Sequence, residues 1–313
     1  MEGANRLLFY IPVILYQSSH NPPFPGKLTM KRKLGITLFI LLLLSGLGVT
    51  VAFDVPDSPQ LMAFLSSEPS SSALRGHCYH NEKQIAPIDV QGQLNVLVWN
   101  IYKENRPDWK SALTQYSQHK QLILLQESSF GPELHQWLIQ QKLSALQVHA
   151  FSVFEKSAGV MNISGRKPVS ACAYTAEEPW IRLPKSALVA YYMLSQHQTL
   201  AVVNIHAINF SLGIEAFQKQ LQQLASALSS HQGPILFAGD FNSWNESRIQ
   251  LIHQLMASLS MQEVIYPKDL RKQFLSHPLD HVYYRGLILT QARVEQTTAS
   301  DHNPIQVSFA LPE

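Results

Sequence analysis

Polar residues able to bind a cation or move a proton stand at the ends of short apolar runs. Asn100 closes LNVLVWN and Glu127 closes QLILLQE. Asn204 and His206 close LAVVNIH, Asp240 and Asn242 end and follow PILFAGD, Asp280 precedes VYY, and Asp301-His302 precede the last apolar run. Strand ends of a packed scaffold aim side chains into a shared crevice on rigid backbone. Singly, each has a plain alternative. Gly239-Asp240-Phe241-Asn242 and Asp301-His302-Asn303-Pro304 suit turns, a lone Glu after a strand is usually solvated, and a lone His is usually structural. The weight lies in their recurrence and order.

The set suits one chemistry. Oxygen donors at Asn100, Glu127 and Asp301 fit a hard divalent cation that keeps some of its waters, Mg²⁺ or Mn²⁺. Zinc would want Cys and His at short spacing, which neither Cys78 nor Cys172 has. Two histidines among Asn and Asp side chains match hydrolysis of a phosphate ester. There, positive groups meet the charge on the phosphoryl oxygens and a group titrating near neutrality moves a proton. The chain has no G-x-S-x-G elbow and no P-loop.

These residues need a scaffold of alternating strands and helices. Strands are expected at 94–100, 121–127, 169–174, 187–193, 200–206, 234–240, 281–289 and 304–310. Helices are expected from Pro107 to Gln118, over PELHQWLIQQK, from Gly213 to Ser230 and near 246–259. Both βα units and antiparallel meanders occur, so an α+β sandwich fits better than a doubly wound sheet.

The chain of 313 residues is 46% hydrophobic and 15% charged, with 14 Gly, 18 Pro and two Cys. That excludes disordered, collagen-like and disulfide-rich classes. The net charge is +2. Residues 1–76 hold six of the 24 basic and four of the 22 acidic residues, which leaves 18 of each for residues 77–313. A balanced body offers no global field for a polyanion.

Lys31-Arg32-Lys33 precede 20 uncharged residues, Leu34 to Phe53. That run is ~30 Å as a helix, about one bilayer core. It reads as a membrane anchor with the domain outside, in the periplasm of a bacterium. A cleaved signal peptide, with Thr50 and Ala52 near the cut, is the alternative. A start downstream of the run would leave the protein cytoplasmic. Residues 1–33 read as a tail, with 1–29 a possible upstream mis-start. Residues 54–92, which begin Pro- and Ser-rich, read as a linker, and 93–311 as the catalytic domain. Cys172 sits in the apolar run VSACAYT, which favours a reduced core thiol over a disulfide with Cys78.

The sequence resembles the endonuclease/exonuclease/phosphatase superfamily. VWNIYK at Asn100, LLQES at Glu127, NIHAIN at His206, GDFN at 239–242, LDHVYY at Asp280 and SDHNP at 300–304 match its motifs in order, over about residues 93–310. Within it, VWNIYK, KSALV, VVNIHAINFSLG and AGDFN resemble the bacterial branch called YafD. The resemblance implies a four-layer α/β-β/α sandwich with the site at one end. It implies Asn100 and Glu127 on the metal, with Asp301 ordering that site. It further implies Asp240 as orienter or base for the attacking water, Asn242 on the phosphate, and His302 in transition-state stabilisation or proton transfer, its tautomer set by Asp280. His206 would face the scissile phosphate with Asn209 beside it. Relatives that cut DNA grip it with arginines or an inserted loop; the nearest candidates here are Arg166, Lys167, Lys185 and Arg182, with Arg166 and Lys185 taken as substrate-binding.

The expected function is therefore metal-dependent hydrolysis of phosphodiesters or phosphomonoesters. The substrate is nucleic acid, a phospholipid or a small phosphoester, with possible membrane association through 34–53 and no inferable protein partner. The alternative is a membrane-anchored binding protein that keeps the fold without catalysis.

Overall fold

The apolar runs form strands because both of their faces are covered. In Gln93–Asn100, Leu94, Val96 and Val98 point into one core while Leu97 and Trp99 point into another. This is the signature of a sheet sandwiched between layers. The computed structural model describes residues 34, 36–39, 53–64, 74–81, 85–154, 156–211 and 213–312. They belong to two units, Met1–Gly48 and Val49–Glu313. In the first, only Leu34 and residues 36–39 are described, and they are helical. The tail and most of the 34–53 run lie outside the described residues. Among the described residues no helix is long and apolar enough to cross a membrane.

The second unit carries the fold. Its main strands are β1 (Gln60–Phe64), β2 (Cys78–His80), β3 (Gln93–Asn100), β4 (Leu122–Ser129), β5 (Ser144–His149), β6 (Lys156–Ser164) and β7 (Ser170–Glu177). They continue with β8 (Pro184–Met193), β9 (Thr199–His206), β10 (Ile235–Asp240), β11 (Asp280–Arg285), β12 (Ile288–Val294) and β13 (Ile305–Ala310). The helices are α1 (Trp109–Tyr116), α2 (Pro132–Gln141), α3 (Glu215–Leu228) and α4 (Glu246–Ser258). One sheet runs β12-β13-β3-β4-β6-β5-β1, with Leu74–Gly76 on its edge; the other runs β11-β10-β9-β8-β7-β2. Among the described strands only β3–β4 and β9–β10 are parallel, each joined through a helix, α1 and α3 respectively.

Three cores follow. Leu94, Val96, Leu124, Val160, Leu188, Val202 and Leu236 fill the space between the sheets. Phe217, Leu221 and Leu224 of α3 and Ile252 and Met256 of α4 cover the outside of the second sheet. Trp109 and Leu113 of α1 and Leu134, Trp137 and Leu138 of α2 cover the outside of the first. The result is the expected four-layer sandwich.

Two expectations are corrected and one gap is filled. The segment 54–92 is not a free linker: β1 pairs with β5, and Leu61 and Ile88 are buried in the inter-sheet core. The Asp89 carboxylate accepts the N–H groups of Gly92 and Ser195 and the Ser195 hydroxyl. The domain therefore begins well before residue 93. Second, Cys78 and Cys172 form a disulfide. They lie opposite each other across the antiparallel β2–β7 pair, and Cys172 points away from the buried Ala171 and Ala173, so the apolar run did not bury it. Third, β5 and β6 fill 144–164, where interspersed polar residues hid the strand pattern.

Candidate active site

The two parallel pairs end on the same side, and the second sheet's β10–β11 pair closes the group. β3 delivers Asn100, β4 delivers Glu127, β9 His206 and β10 Asp240. β11 begins at Asp280, directly opposite Asp240. Close packing at β10 needs Gly239, whose φ is +140° and whose added Cβ would stand 2.0 Å from the Ile205 carbonyl oxygen. The β4–β6 ladder slips between Leu125 and Ser128, and Glu127 inside that slip has φ +51°. A bulge re-aims one side chain out of the strand's alternation, here the carboxylate.

Asp240 is the hub. Its Oδ2 accepts the Asn100 Nδ2–H at 2.9 Å, and its Oδ1 accepts the Asn242 backbone N–H at 2.9 Å. Nε2 of His206 lies 3.6 Å from Asp240 Oδ2, and Nε2 of His302 lies 4.0 Å from it. His302 Nδ1 bonds Asp280 Oδ2 at 2.8 Å. The turn carrying His302 is clamped to β3: Ser300 Oγ donates to the Asn100 carbonyl, and Trp99 Nε1 donates to the His302 carbonyl. Asn242 Nδ2 donates to the Ala207 carbonyl.

The two histidines differ in charge. Burial opposes a charge on His302, but Asp280, Asp240 and Asp301 outweigh it and raise its pKa to about 10. It is an imidazolium at neutral pH. Burial and then the Lys185 ammonium push His206 down to about 4, against the pull of Asp240 and Glu127. Neutral His206 offers Nε2 as an acceptor to Lys185 Nζ at 2.9 Å.

Lys103, which the sequence reading did not single out, ion-pairs with Glu127. Burial opposes ionisation of Glu127, but the positive charge that His206, Lys103 and Lys185 can carry holds it at about 2. Lys103 sits in a one-turn 3-10 segment in which Tyr102, Lys103 and Glu104 all have positive φ. That turn is pinned by Glu104, whose carboxylate accepts the Ser129 N–H at 3.0 Å and the Ser129 hydroxyl at 2.7 Å. Burial lifts Glu104 to about 7 even against those hydrogen bonds.

The residues suit a hard cation. Glu127 is ionised, its partners in the donor set are the Asn100 carboxamide and the exposed Asp301 carboxylate, and no thiolate is present. A cation on Glu127 would take over the role of the Lys103 ammonium. The tightest group of three ligand-type side chains among the described residues is Asp240, Asp280 and His302. There the imidazole already bonds Asp280 and stands 4.0 Å from Asp240, and an imidazolium is no ligand.

The other expected residues divide. Lys185 is in the site. Arg166 is not: it follows Ser164, which pairs with Leu122 at the start of β4, the far end of the strand from Glu127. The loop GRK joins strands at the wrong end of the sandwich. Asn204 is structural, its Nδ2 donating to Asn162 Oδ1 at 3.0 Å and its Oδ1 accepting from Gln126 at 2.7 Å, which bolts the two sheets together under the site. Asn209 lies beside Asn242, its N–H donated to the wholly buried Glu178 at 2.6 Å. Glu178 and Arg248, which grip this loop, carry no local sequence signal because their partners are distant in the chain.

Asp280 is steadied from below. Arg271 Nη1 donates to the Asp280 carbonyl at 3.0 Å and to Glu263 at 2.9 Å, and Glu263 also holds His281 Nδ1 at 2.7 Å. Burial works against the charge on Glu263, but His281 and Arg271 bring its pKa to about 2. A depressed folded pKa stabilises above the unfolded value of ~4.3 and is lost as pH falls through 2. Glu263→Gln is therefore expected to lower stability by about 2–3 kcal/mol at pH 7, and the gap to the parent in melting temperature is expected to narrow steadily below pH 4.5. A gap that stays constant from pH 7 to pH 3 would refute this.

Comparison with known proteins agrees with this geometry. Residues 97–302 match the model of the Endonuclease/Exonuclease/phosphatase family. A UPF0294 protein of Vibrio campbellii is 46% identical over 283 residues, covering 90% of this chain and 99% of the relative. Among solved structures, an endonuclease/exonuclease/phosphatase of Bacteroides vulgatus superposes with TM-score 0.57 at 14% identity, over 70% of this chain and 99% of that one. A mannosyl-6-phosphatase of Bacteroides thetaiotaomicron superposes with TM-score 0.51 at 14% identity, over 70% and 100% of the two chains. With the motif residues gathered at one end of the same four-layer sandwich, the chain belongs to the endonuclease/exonuclease/phosphatase family, alongside the UPF0294 proteins.

Proposed function

We propose that the protein hydrolyses phosphoesters with the help of a divalent cation, Mg²⁺ or Mn²⁺. The observation that carries this reading is the Asp280–His302 contact of 2.8 Å beside an Asp240 held by Asn100 and Asn242. Asp240 orients a water and accepts its proton as the water oxygen bonds to phosphorus. The phosphorus–oxygen bond to the departing alcohol breaks, that oxygen takes a proton from solvent water, and Asp240 returns its proton to solvent. His302, fixed in its imidazolium form, meets the negative charge on the phosphoryl oxygens. Lys185 adds a second positive charge, and neutral His206 holds Lys185 in place. A cation held by Glu127, with Asn100 and Asp301 as the other candidate oxygen donors, would supply Lewis-acid polarisation of a phosphoryl oxygen.

The test is turnover by the full-length protein of a chromogenic phosphodiester, a phosphomonoester, and single- and double-stranded oligonucleotides, with Mg²⁺, Mn²⁺ or EDTA. EDTA-sensitive turnover is expected, with Glu127→Gln raising the metal concentration for half-maximal activity at least about tenfold. One observation favours the second reading, a binding protein without catalysis: Lys103 already neutralises Glu127. That reading gains if Glu127→Gln and His302→Ala bind ligands as the parent does and neither parent nor variants turn anything over.

We also infer that residues 34–53 anchor the domain on the periplasmic side. The disulfide supports this, since such bonds persist in oxidising compartments. Alkaline-phosphatase activity of a reporter fused after Glu313 tests it.

A further inference from the structure

Beside Asn242 opens a cavity of about 550 Å³, within the usual range for small-molecule sites. Its apolar walls are Trp180, Phe210, Trp244, Phe274 and Leu279; its polar lining is Asn209, Ser211 and Asn242. Part of that polarity is already spent, which leaves the Asn209 carboxamide as its main polar group. Ser211 Oγ accepts from Arg248 at 2.9 Å and donates to the Gly213 carbonyl at 3.2 Å. Trp244 Nε1 donates to the Asn209 carbonyl at 3.4 Å, and Asn242 Nδ2 to that of Ala207.

The wall is built in advance rather than left to a mobile loop. The Glu178 carboxylate accepts the N–H groups of Asn209 and Phe210 at 2.6 and 3.2 Å. From the other side Arg248 holds the carbonyls of Ile208 and Asn209. The rim leaves large apolar side chains in water: Trp180 is 62% exposed and Leu275, at the tip of the hairpin that carries Phe274, is 73% exposed. A contiguous exposed apolar surface marks a binding site. Because Asn242 both lines the cavity and donates its N–H to Asp240, an occupant is within reach of the residues assigned to the scissile bond.

We propose that this cavity takes the hydrocarbon part of the substrate, so that the protein acts on phosphoesters of apolar alcohols. The proposal rests on the hydrolase reading. A nucleobase would find only the Asn209 carboxamide and Asn242 Oδ1 for its several ring donors and acceptors, the rest of the lining being spent or carbon, which is costly. A polyanionic strand would meet a domain with 18 basic and 18 acidic residues over 77–313.

The experiment compares methyl, butyl and octyl 4-nitrophenyl phosphodiesters on the full-length protein. Each methylene buried is expected to raise kcat/KM about fourfold until the cavity is full, so butyl exceeds methyl by tenfold or more. Trp180→Ala and Phe274→Ala, both at exposed positions, are expected to pull the octyl-to-methyl ratio toward one. A flat series with measurable methyl-ester turnover overturns the cavity assignment and leaves the hydrolase reading standing, as does faster cleavage of oligonucleotides than of the octyl ester. If no ester turns over, the hydrolase reading fails first. Calorimetric titration with octyl phosphate and methyl phosphate then decides the cavity alone: octyl phosphate at least tenfold tighter, with the difference lost in Trp180→Ala, supports it, and equal or absent binding overturns it.

Discussion

His302→Ala is expected to lower kcat/KM by about 10³-fold on any phosphoester the protein cleaves, and to lower the melting temperature as well, because the buried Asp280 loses its partner. The reason is charge. His302 is the one imidazole in the site that burial does not neutralise, because Asp280 at 2.8 Å, Asp240 and Asp301 surround it. The control is Asp280→Asn, which keeps the shape and removes a charge. With a raised pKa of about 10, the imidazolium survives to the alkaline side, so parent activity that depends on it falls only there. In Asp280→Asn the alkaline limb of the pH–rate profile is expected to move down toward ~6.5, the ordinary histidine value, and activity at pH 8 to fall accordingly. An alkaline limb that does not move would remove His302 from the cationic role assigned to it.

The second large effect falls on stability. Arg248 is 1% exposed on α4, stacked between Phe217 and Trp244 at 4.5 and 4.7 Å. Its guanidinium donates to the carbonyls of Ile208, Asn209 and Asn242 and to Ser211 Oγ. Burial lowers its pKa to about 10, so it remains charged at neutral pH. Arg248→Ala strands the Ile208 and Asn242 carbonyls and opens a void, and is expected to cost about 3–5 kcal/mol. For a domain of this size that is a fall in melting temperature of roughly 10 °C. Lysine keeps the charge but not the planar fork, so Arg248→Lys is expected to recover less than half of the loss. Full recovery by lysine would mean that charge alone, not the shape of the donor array, holds the loop.

The parts of the site legible in the sequence are those where a polar residue borders an apolar strand: Asn100, Glu127, His206 and Asp240 at or near strand ends, Asp280 at a strand start and His302 just before one. The helices were legible for the same reason, since one apolar stripe each had to meet a sheet. What stayed hidden depends on the third dimension. Lys103 reads as a solvated charge and becomes a partner of Glu127 only through three successive left-handed residues. Arg248 and Glu178 find their partners 30 to 40 residues away. Arg166 was misplaced because a basic loop carries no mark of which end of a strand it joins. Cys172 was misread because alternation in β7 gives its alanines, not its cysteine, to the core.

The bond between Cys78 and Cys172 also sets a path for mechanical load. A pull arriving from the N-terminal side first meets short strands at the edge of one sheet: Phe53–Asp54, Gln60–Phe64 and Leu74–Gly76. Hydrogen-bonded edge strands unzip one at a time. At Cys78 the tension leaves the first sheet and passes covalently into β7 of the second. Peeling therefore bypasses residues 79–171, and the strands that carry Asn100 and Glu127 stay slack, while load passed on toward the C-terminus runs through β9 and β10.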